Sequence, residues 1–393
     1  MDLVGLLRRA VESGASDIHL KTGRRPVVRC DGDLQELEGW GELSAADLEI
    51  ALTTVAIPEK AESFRATGDL DVAYQDEGLP RFRVNAFRQR GKTSFAFRVI
   101  PAIVPNFTSL GLPPGVERLA TESRGLVLVT GATGSGKTTT LAAIVDHINR
   151  TRHDHIVTIE DPIEILHDDH NCVVSQREVG LDTASFGEAL RRALRQDPDV
   201  ILIGELRDAE TAQIALQAAE SGHLVLSTLH TIDAAETCGR LIEFFPPEKQ
   251  QVIRSILAGV LRGVVSQRLL PRAGGGRVAA VEVMVNNARI ADLIRDGRPD
   301  EITDAVAEGD FFQMQTFTQA LIDLVLSGLV DRELAANAAT NRHDFLVALE
   351  RSEKHRRAEE AASAAVEAAP PVLEEQQAAG EAGLSGLRLV PAE

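Results

Sequence analysis

The sequence predicts an α/β fold in two parts: a small α+β domain, then a mostly parallel sheet wrapped by helices and closed by a helical region. Three observations carry this. A glycine-rich loop at residues 131 to 138 stands between an apolar run, Leu126 to Val129, and a helical pattern. Strand and helix patterns then alternate as far as residue 229, the rhythm of parallel strands joined by helical crossovers. Ahead of the loop, Arg81 to Phe87 alternates polar and apolar residues, as a half-buried antiparallel strand does.

Leu3, Leu6, Leu7 and Val11 fall at helical intervals. Asp17 to Leu20 reads as a strand, and Pro26 to Cys30 and Asp33 to Leu37 flank the hairpin signal of Asp31 and Gly32. Residues 44 to 66 read as one helix capped by Ser44. Further strands are expected at Leu70 to Tyr74, Arg81 to Phe87 and Thr93 to Ile100, so residues 1–100 make the first domain. Pro101, Pro105, Pro113 and Pro114 mark 101–114 as a linker.

Strands 126–130, 155–160, 200–203 and 223–229 then alternate with helices 137–150, 185–196 and 208–220. From Glu248 to Leu349 helical patterns dominate, interrupted by a hairpin in which Leu269 to Arg272 and Val278 to Val285 flank Gly274 to Gly276. The second domain thus spans 115–350. The tail, 351–393, is rich in Ala, Glu and Gln and too poor in apolar side chains to fold alone; residues 355–393 are expected to be disordered.

The chain of 393 residues is long enough for two domains. A net charge of −18 argues against a phosphate backbone as the main partner, and 4% aromatic content argues against stacking platforms, so no nucleic-acid partner is expected. No stretch reaches the roughly 18 apolar residues of a membrane span. Cys30, Cys172 and Cys238 are scattered, as reduced cytoplasmic thiols are. A cytoplasmic protein is expected, reaching a membrane only through a partner.

Gly131, Ala132, Thr133, Gly134, Ser135, Gly136, Lys137 and Thr138 complete the pattern G-x-x-x-x-G-K-[ST], the Walker A loop, and Thr139 continues it into the helix. Glycines let backbone N–H groups turn toward a polyphosphate. Lys137 reaches the β- and γ-phosphates, and the Thr138 hydroxyl is placed to hold Mg2+. ATP and Mg2+ are the expected ligands. Glu160, Asp161 and Glu164 lie where a strand leaves the sheet, the place where ligands bind in parallel sheets. Asp197 to Glu205 reads as a Walker B strand in which Gly204 intervenes and Glu205 supplies the carboxylate. His223 and His230 bracket a buried strand, and His230 is a candidate donor to the γ-phosphate. His167, His170 and Cys172 have metal-like spacing but no fourth ligand, and read as a polar loop. Arg81, Arg83, Arg88, Arg90 and Arg98 read either as an exposed polar sheet face or, for one or two of them, as arginine fingers on a neighbouring subunit's nucleotide.

Taken in order, Thr130 to Thr140, Thr158 to Glu164, Asp197 to Arg207 and Gly222 to Thr231 resemble the P-loop, Asp box, Walker B and His box of the secretion ATPase superfamily. Ala15 to Leu20, Arg81 to Phe87, Ser266 to Leu270 and Met314 to Phe317 resemble its type IV pilus retraction ATPases, the twitching-motility PilT/PilU group. The likeness covers about residues 1–350 and leaves out the tail.

The resemblance implies a PAS-like first domain, a RecA-like second domain and a homohexamer that powers pilus retraction. It implies Glu164 as general base, Thr138 and Glu205 as holders of Mg2+, His223 and His230 as the His box, Arg83 and Arg98 as arginine fingers, and Arg268 near the nucleotide. It implies as partners an inner-membrane platform protein and a paralogous retraction ATPase. Ala288 to Asp296 keeps the second half of the retraction motors' C-terminal motif and departs from the first, which leaves the principal and accessory motors as alternatives. Pilus-extension and type II secretion ATPases share the P-loop region but carry a tetracysteine element and a long extra N-terminal domain; they, and nucleic-acid translocases, are the other readings.

Overall fold

The first helix, α1 (Leu3–Glu12), begins where the Asp2 carboxylate accepts the Gly5 N–H at 2.9 Å, and it buries Leu3, Leu6, Leu7 and Ala10. The strands β1 (Asp17–Lys21), β2 (Val27–Cys30) and β3 (Asp33–Glu36) follow, then α2 (Ala45–Val55), α3 (Pro58–Thr67), β4 (Asp69–Tyr74), β5 (Phe82–Gln89) and β6 (Lys92–Val99). They form an antiparallel sheet in the order β3-β2-β1-β6-β5-β4. The single helix expected at 44–66 is broken. Ile57 is extended and Pro58 opens α3, because proline lacks the N–H that would continue the ladder and its ring clashes with the preceding turn.

Computed from the sequence, the structural model describes residues 1–30, 32–100 and 104–367. Asp31 of the expected hairpin and Pro101 of the expected linker lie outside the described residues. The chain divides into a unit spanning Met1–Phe345 and a second spanning Leu346–Glu393.

One face of the first sheet is apolar. Phe82, Val84, Ala86, Phe95 and Phe97 are buried there, with Phe82 edge-on to Phe97 at 6.1 Å. Alternation sends Arg83 and Arg98 to the other face, where they are register partners on β5 and β6. Like charges set opposite each other repel. Each is offset by a carboxylate: Arg83 by Glu164 at 3.8 Å and Arg98 by Asp17 at 2.9 Å. Burial alone would raise the Asp17 carboxyl, but the Arg98 hydrogen bond and charge, with Ser16, bring it below the ordinary range.

After α4 (Phe107–Leu110) and α5 (Pro114–Ala120), the second sheet opens with β7 (Gly125–Thr130). The chain continues through α6 (Lys137–Thr151), β8 (His155–Glu160), β9 (Val173–Glu178), α7 (Phe186–Ala193), β10 (Val200–Ile203), α8 (Ala209–Glu220), β11 (Leu224–Leu229), α9 (Ala234–Glu243), α10 (Pro247–Val260), β12 (Leu261–Pro271) and β13 (Arg277–Val285). The sheet order is β13-β12-β7-β11-β10-β8-β9, parallel throughout except for the β12–β13 hairpin. β7, β10 and β11 are buried at every position, as strands covered on both faces must be. The fold class is α/β with a RecA-like second domain, as expected.

Two strands differ from expectation. β9 is a parallel edge strand that is not among the strands expected from the sequence; its stretch Ser175 to Glu178 is polar. β12 begins at Leu261, directly after α10, inside a stretch that reads as helix; Val264 and Val265 are buried between β7 and β13. Beyond the hairpin come α11 (Ala288–Asp296), α12 (Ile302–Ala307), α13 (Phe317–Leu326), α14 (Arg332–Ala338) and α15 (Arg342–Glu367). Residues 355–367, expected to be disordered, continue α15, since Ala, Glu and Arg are among the strongest helix formers. The remainder of the expected disordered tail, 368–393, lies outside the described residues.

A buried ion pair ties the first sheet to the second. Arg81 Nη2 lies 2.6 Å from Glu178 Oε2 at the end of β9, with the two side chains 15% and 4% exposed. The same Glu178 oxygen accepts the Ile163 N–H at 3.2 Å, so Arg81 also braces the acidic loop after β8.

Candidate active site

In a parallel sheet, strand carboxyl ends collect loops on one edge. Here the loops after β7, β8, β10 and β11 meet in a cleft of about 520 Å³. The β7 loop is a glycine cradle. Gly131 has φ +141°, and a Cβ there would collide with the Gln267 carbonyl oxygen and stand 2.6 Å from Ser135 Oγ. Only glycine lets β7 turn so close under its own loop. The cradle ends at Gly136, and α6 starts at Lys137 with its N-terminus toward the cleft. Lys137, 9% exposed, donates from Nζ to the carbonyls of Gly131 at 2.7 Å and Ala132 at 3.0 Å. Burial lowers its pKa, opposed by the charges of Glu205 and Glu164.

The acidic groups have distinct surroundings. Burial pushes Glu160 up, although Thr158 and Gln176 donate to its Oε1 at 2.7 Å and 3.1 Å. Glu205 follows β10 and is gripped by Arg207 at 2.5 Å, with His230 Nε2 at 3.5 Å. Burial raises its carboxyl, but those two partners outweigh burial and hold it low. Asp161 is 3.8 Å from Arg207. Glu164 lies 3.8 Å from Arg83. Thr228, on β11, donates to the Gly204 carbonyl at 2.7 Å and fixes the turn that delivers Glu205.

The cleft gathers Thr133, Gly134, Gly136, Lys137, Thr138, Thr139, Glu160, Asp161, Glu164, Glu205 and His230 from the sequence candidates, together with Arg83 and Arg98. Those two arginines line this chain's own cleft; the sequence alone reads them either as part of an exposed polar sheet face or as fingers on a neighbour's nucleotide. Gly131, Ala132 and Ser135 form the back of the cradle, facing a separate cavity of about 280 Å³.

Two candidates lie elsewhere. His223 precedes β11, so six residues at about 3.3 Å each separate it from His230. Its Nδ1 is 2.9 Å from the Ala218 carbonyl oxygen, at the far end of the sheet. Arg268 lines the back cavity; it donates to Thr340 Oγ1 at 3.1 Å and its guanidinium carbon lies 4.1 Å from the centroid of the Phe317 ring. Successive strand residues face opposite sides, so Arg268 turns away while its neighbour Leu269 faces the cleft.

Sequence reasoning missed Gln176, Arg207 and Arg277. Gln176 sits on the unrecognised β9 and organises the acidic loop, donating to Ile165 O at 2.9 Å and accepting the His167 N–H at 2.8 Å. Arg207 stands two residues beyond Glu205, a signal within reach. Arg277 joins the cleft only through the hairpin.

The loop after β11 is anchored from behind. Glu282, 5% exposed on β13, accepts the Ala234 N–H at 2.8 Å where α9 begins. Burial, with the Asp233 charge added, pushes its carboxyl up to about 7 despite that N–H and the opposing charge of Arg268. The folded state therefore holds this proton more tightly than the unfolded chain. Stability is greatest below the ordinary value of 4.5 and is lost as pH rises through about 7. Glu282→Gln should raise the melting temperature at pH 8 and not at pH 4.5, with a gain of about 3 kcal/mol at most. An equal shift at both pH values contradicts this.

The model of the family described as "Type II/IV secretion system protein" matches residues 2–291. The type IV pilus retraction ATPase PilT of Pseudomonas aeruginosa is 44% identical over 345 residues, 88% of this chain and 100% of that one. The type IV pilus ATPase PilU of the same organism is 38% identical, covering 89% and 92%. A crystal structure of the pilus retraction motor PilT with bound ADP superimposes with a TM-score of 0.83 at 42% identity, covering 88% of this chain and 98% of that one.

Proposed function

The chain belongs to the type II/IV secretion system protein family and is an ATPase of its type IV pilus retraction group, and from that premise we propose how its cleft works. One observation carries the reading: a glycine cradle, a carboxylate facing it and two arginines of the first domain line one cleft of one chain. The backbone N–H groups of residues 131–138 and Lys137 bind the β- and γ-phosphates. Glu164 orients a water and takes its proton as the oxygen attacks the γ-phosphorus and the bond to the β-phosphate oxygen breaks. Glu160 is bound up with Thr158 and Gln176, and Glu205 with Arg207 and His230, which leaves Glu164 for this role.

A hydroxyl and a carboxylate are hard oxygen donors of the kind Mg2+ takes, and Thr138 and Glu205 would hold it. Mg2+ supplies neutralising charge to the phosphate oxygens. Arg207 grips the same Glu205 carboxylate and so competes for it. His230, beside Glu205, senses the γ-phosphate. Arg83 and Arg98 reach that phosphate from the same chain, so its loss alters the attraction between the two domains.

Six such chains form a ring at the cytoplasmic face of the inner membrane. Firing in turn, they drive a membrane platform protein that withdraws pilins and so powers twitching motility. Higher identity to PilT than to PilU supports the role of principal motor, with a PilU-like paralogue as partner. Deleting the gene should leave cells with excess surface pili that no longer retract. Normal retraction without it would refute the assignment.

A further inference from the structure

Among the described residues, four arginines line the cleft: Arg83, Arg98, Arg207 and Arg277. Three are paired with Glu164, Asp17 and Glu205 respectively. The Arg277 side chain makes no ion pair or hydrogen bond among the described residues. It is also exposed, while the chain as a whole carries a net charge of −18, so an unpaired cation at the rim of this cleft is an unused resource.

Its position is set by the hairpin. On the antiparallel ladder Leu269 is opposite Ala279, and Pro271 is opposite Arg277. Leu269 and Arg277 are therefore diagonal neighbours on one face, at a backbone separation of about 7–8 Å. That is about twice the thickness of an aromatic ring. Leu269 also packs against the turn that opens α6, its side-chain carbons 3.8 Å from where a Cβ of Gly136 would stand. The pair thus stands beside the start of α6, within the same cleft as Thr139 and Ala142. The acidic groups belong to loops on the other side, after β8 and β10.

We propose that Leu269 and Arg277 clamp the nucleobase of the bound nucleotide, an aliphatic surface below and a planar guanidinium stacked above. Guanidinium planes stack on aromatic faces in a way that an ammonium does not. The clamp reads flatness and adds affinity, so it serves ATP and ADP but gives nothing to a bare polyphosphate. This rests on the reading of residues 131–138 as the phosphate cradle.

The test uses the full-length protein and calorimetric titration with ADP and, separately, with inorganic tripolyphosphate. Arg277→Ala should weaken ADP binding about tenfold and leave tripolyphosphate binding within twofold. Arg277→Lys, which keeps the charge and loses the plane, should behave like Arg277→Ala. In turnover the loss should fall on KM for ATP rather than on kcat. Equal weakening of both ligands with rescue by lysine would make Arg277 a phosphate contact and overturn the clamp. Unchanged ADP affinity would overturn it as well. Failure of the cradle itself looks different: Lys137→Ala would then bind both ligands as the unaltered protein does.

Discussion

Lys137→Ala should cut ATP turnover about a thousandfold and weaken ADP binding about tenfold or more. The lysine is the buried cation of the cleft, and its ammonium is held by two carbonyls of its own loop. That arrangement keeps the charge where phosphate oxygens arrive and costs little reorganisation when they do. Its removal takes away the charge and also the donor to the Gly131 carbonyl, while the Ala132 carbonyl keeps the Ser135 N–H at 3.1 Å. Circular dichroism and ring assembly report whether the fold survives. Phosphate release and calorimetry then report the chemistry. Turnover within tenfold of the unaltered protein would place the phosphates elsewhere.

Glu164→Gln should lower kcat between about a hundredfold and ten-thousandfold, the range of general-base catalysis, while ADP affinity changes little. The amide keeps the shape of the carboxylate and loses its ability to take a proton. The structure gives this residue a loose partner, Arg83 at 3.8 Å, whereas Glu205 is held at 2.5 Å by Arg207. A carboxylate so loosely held can turn toward a water in the cleft. Normal turnover would move the base to Glu160 or Glu205. Glu160→Gln should instead disturb the loop fixed by Thr158 and Gln176, with a loss shared between KM and kcat.

Much of this was legible in the sequence because it is local. The cradle is a contiguous run whose glycines and lysine announce their chemistry, β10 is apolar throughout, and β7 and β11 interrupt their apolar runs only with Thr130, Ser227 and Thr228. What escaped the sequence depends on pairing. β9 is polar because it forms an edge, and its Gln176 matters only once it lies beside β8. β12 hides in a helical pattern because its neighbours, not its own period, make it a strand. Arg268 and Leu269 adjoin in the chain, yet the strand's alternation gives only Leu269 to the cleft. His223 shares a motif with His230 but lies a strand's length away. Which chain's cleft Arg83 and Arg98 serve depends on how two sheets meet, and the buried Arg81–Glu178 pair that joins them is 97 residues apart in sequence.

The central claim is that one chain supplies both the catalytic carboxylate and the arginines. Subunits carrying Glu164→Gln, mixed and reassembled with subunits carrying Arg83→Ala and Arg98→Ala, measure it directly. If both sets of groups act within one chain, no pocket in a mixed ring is whole, and ATP turnover stays as low as in either variant alone. If the arginines reach a neighbour's nucleotide, some junctions regain every group, and turnover rises well above both parents.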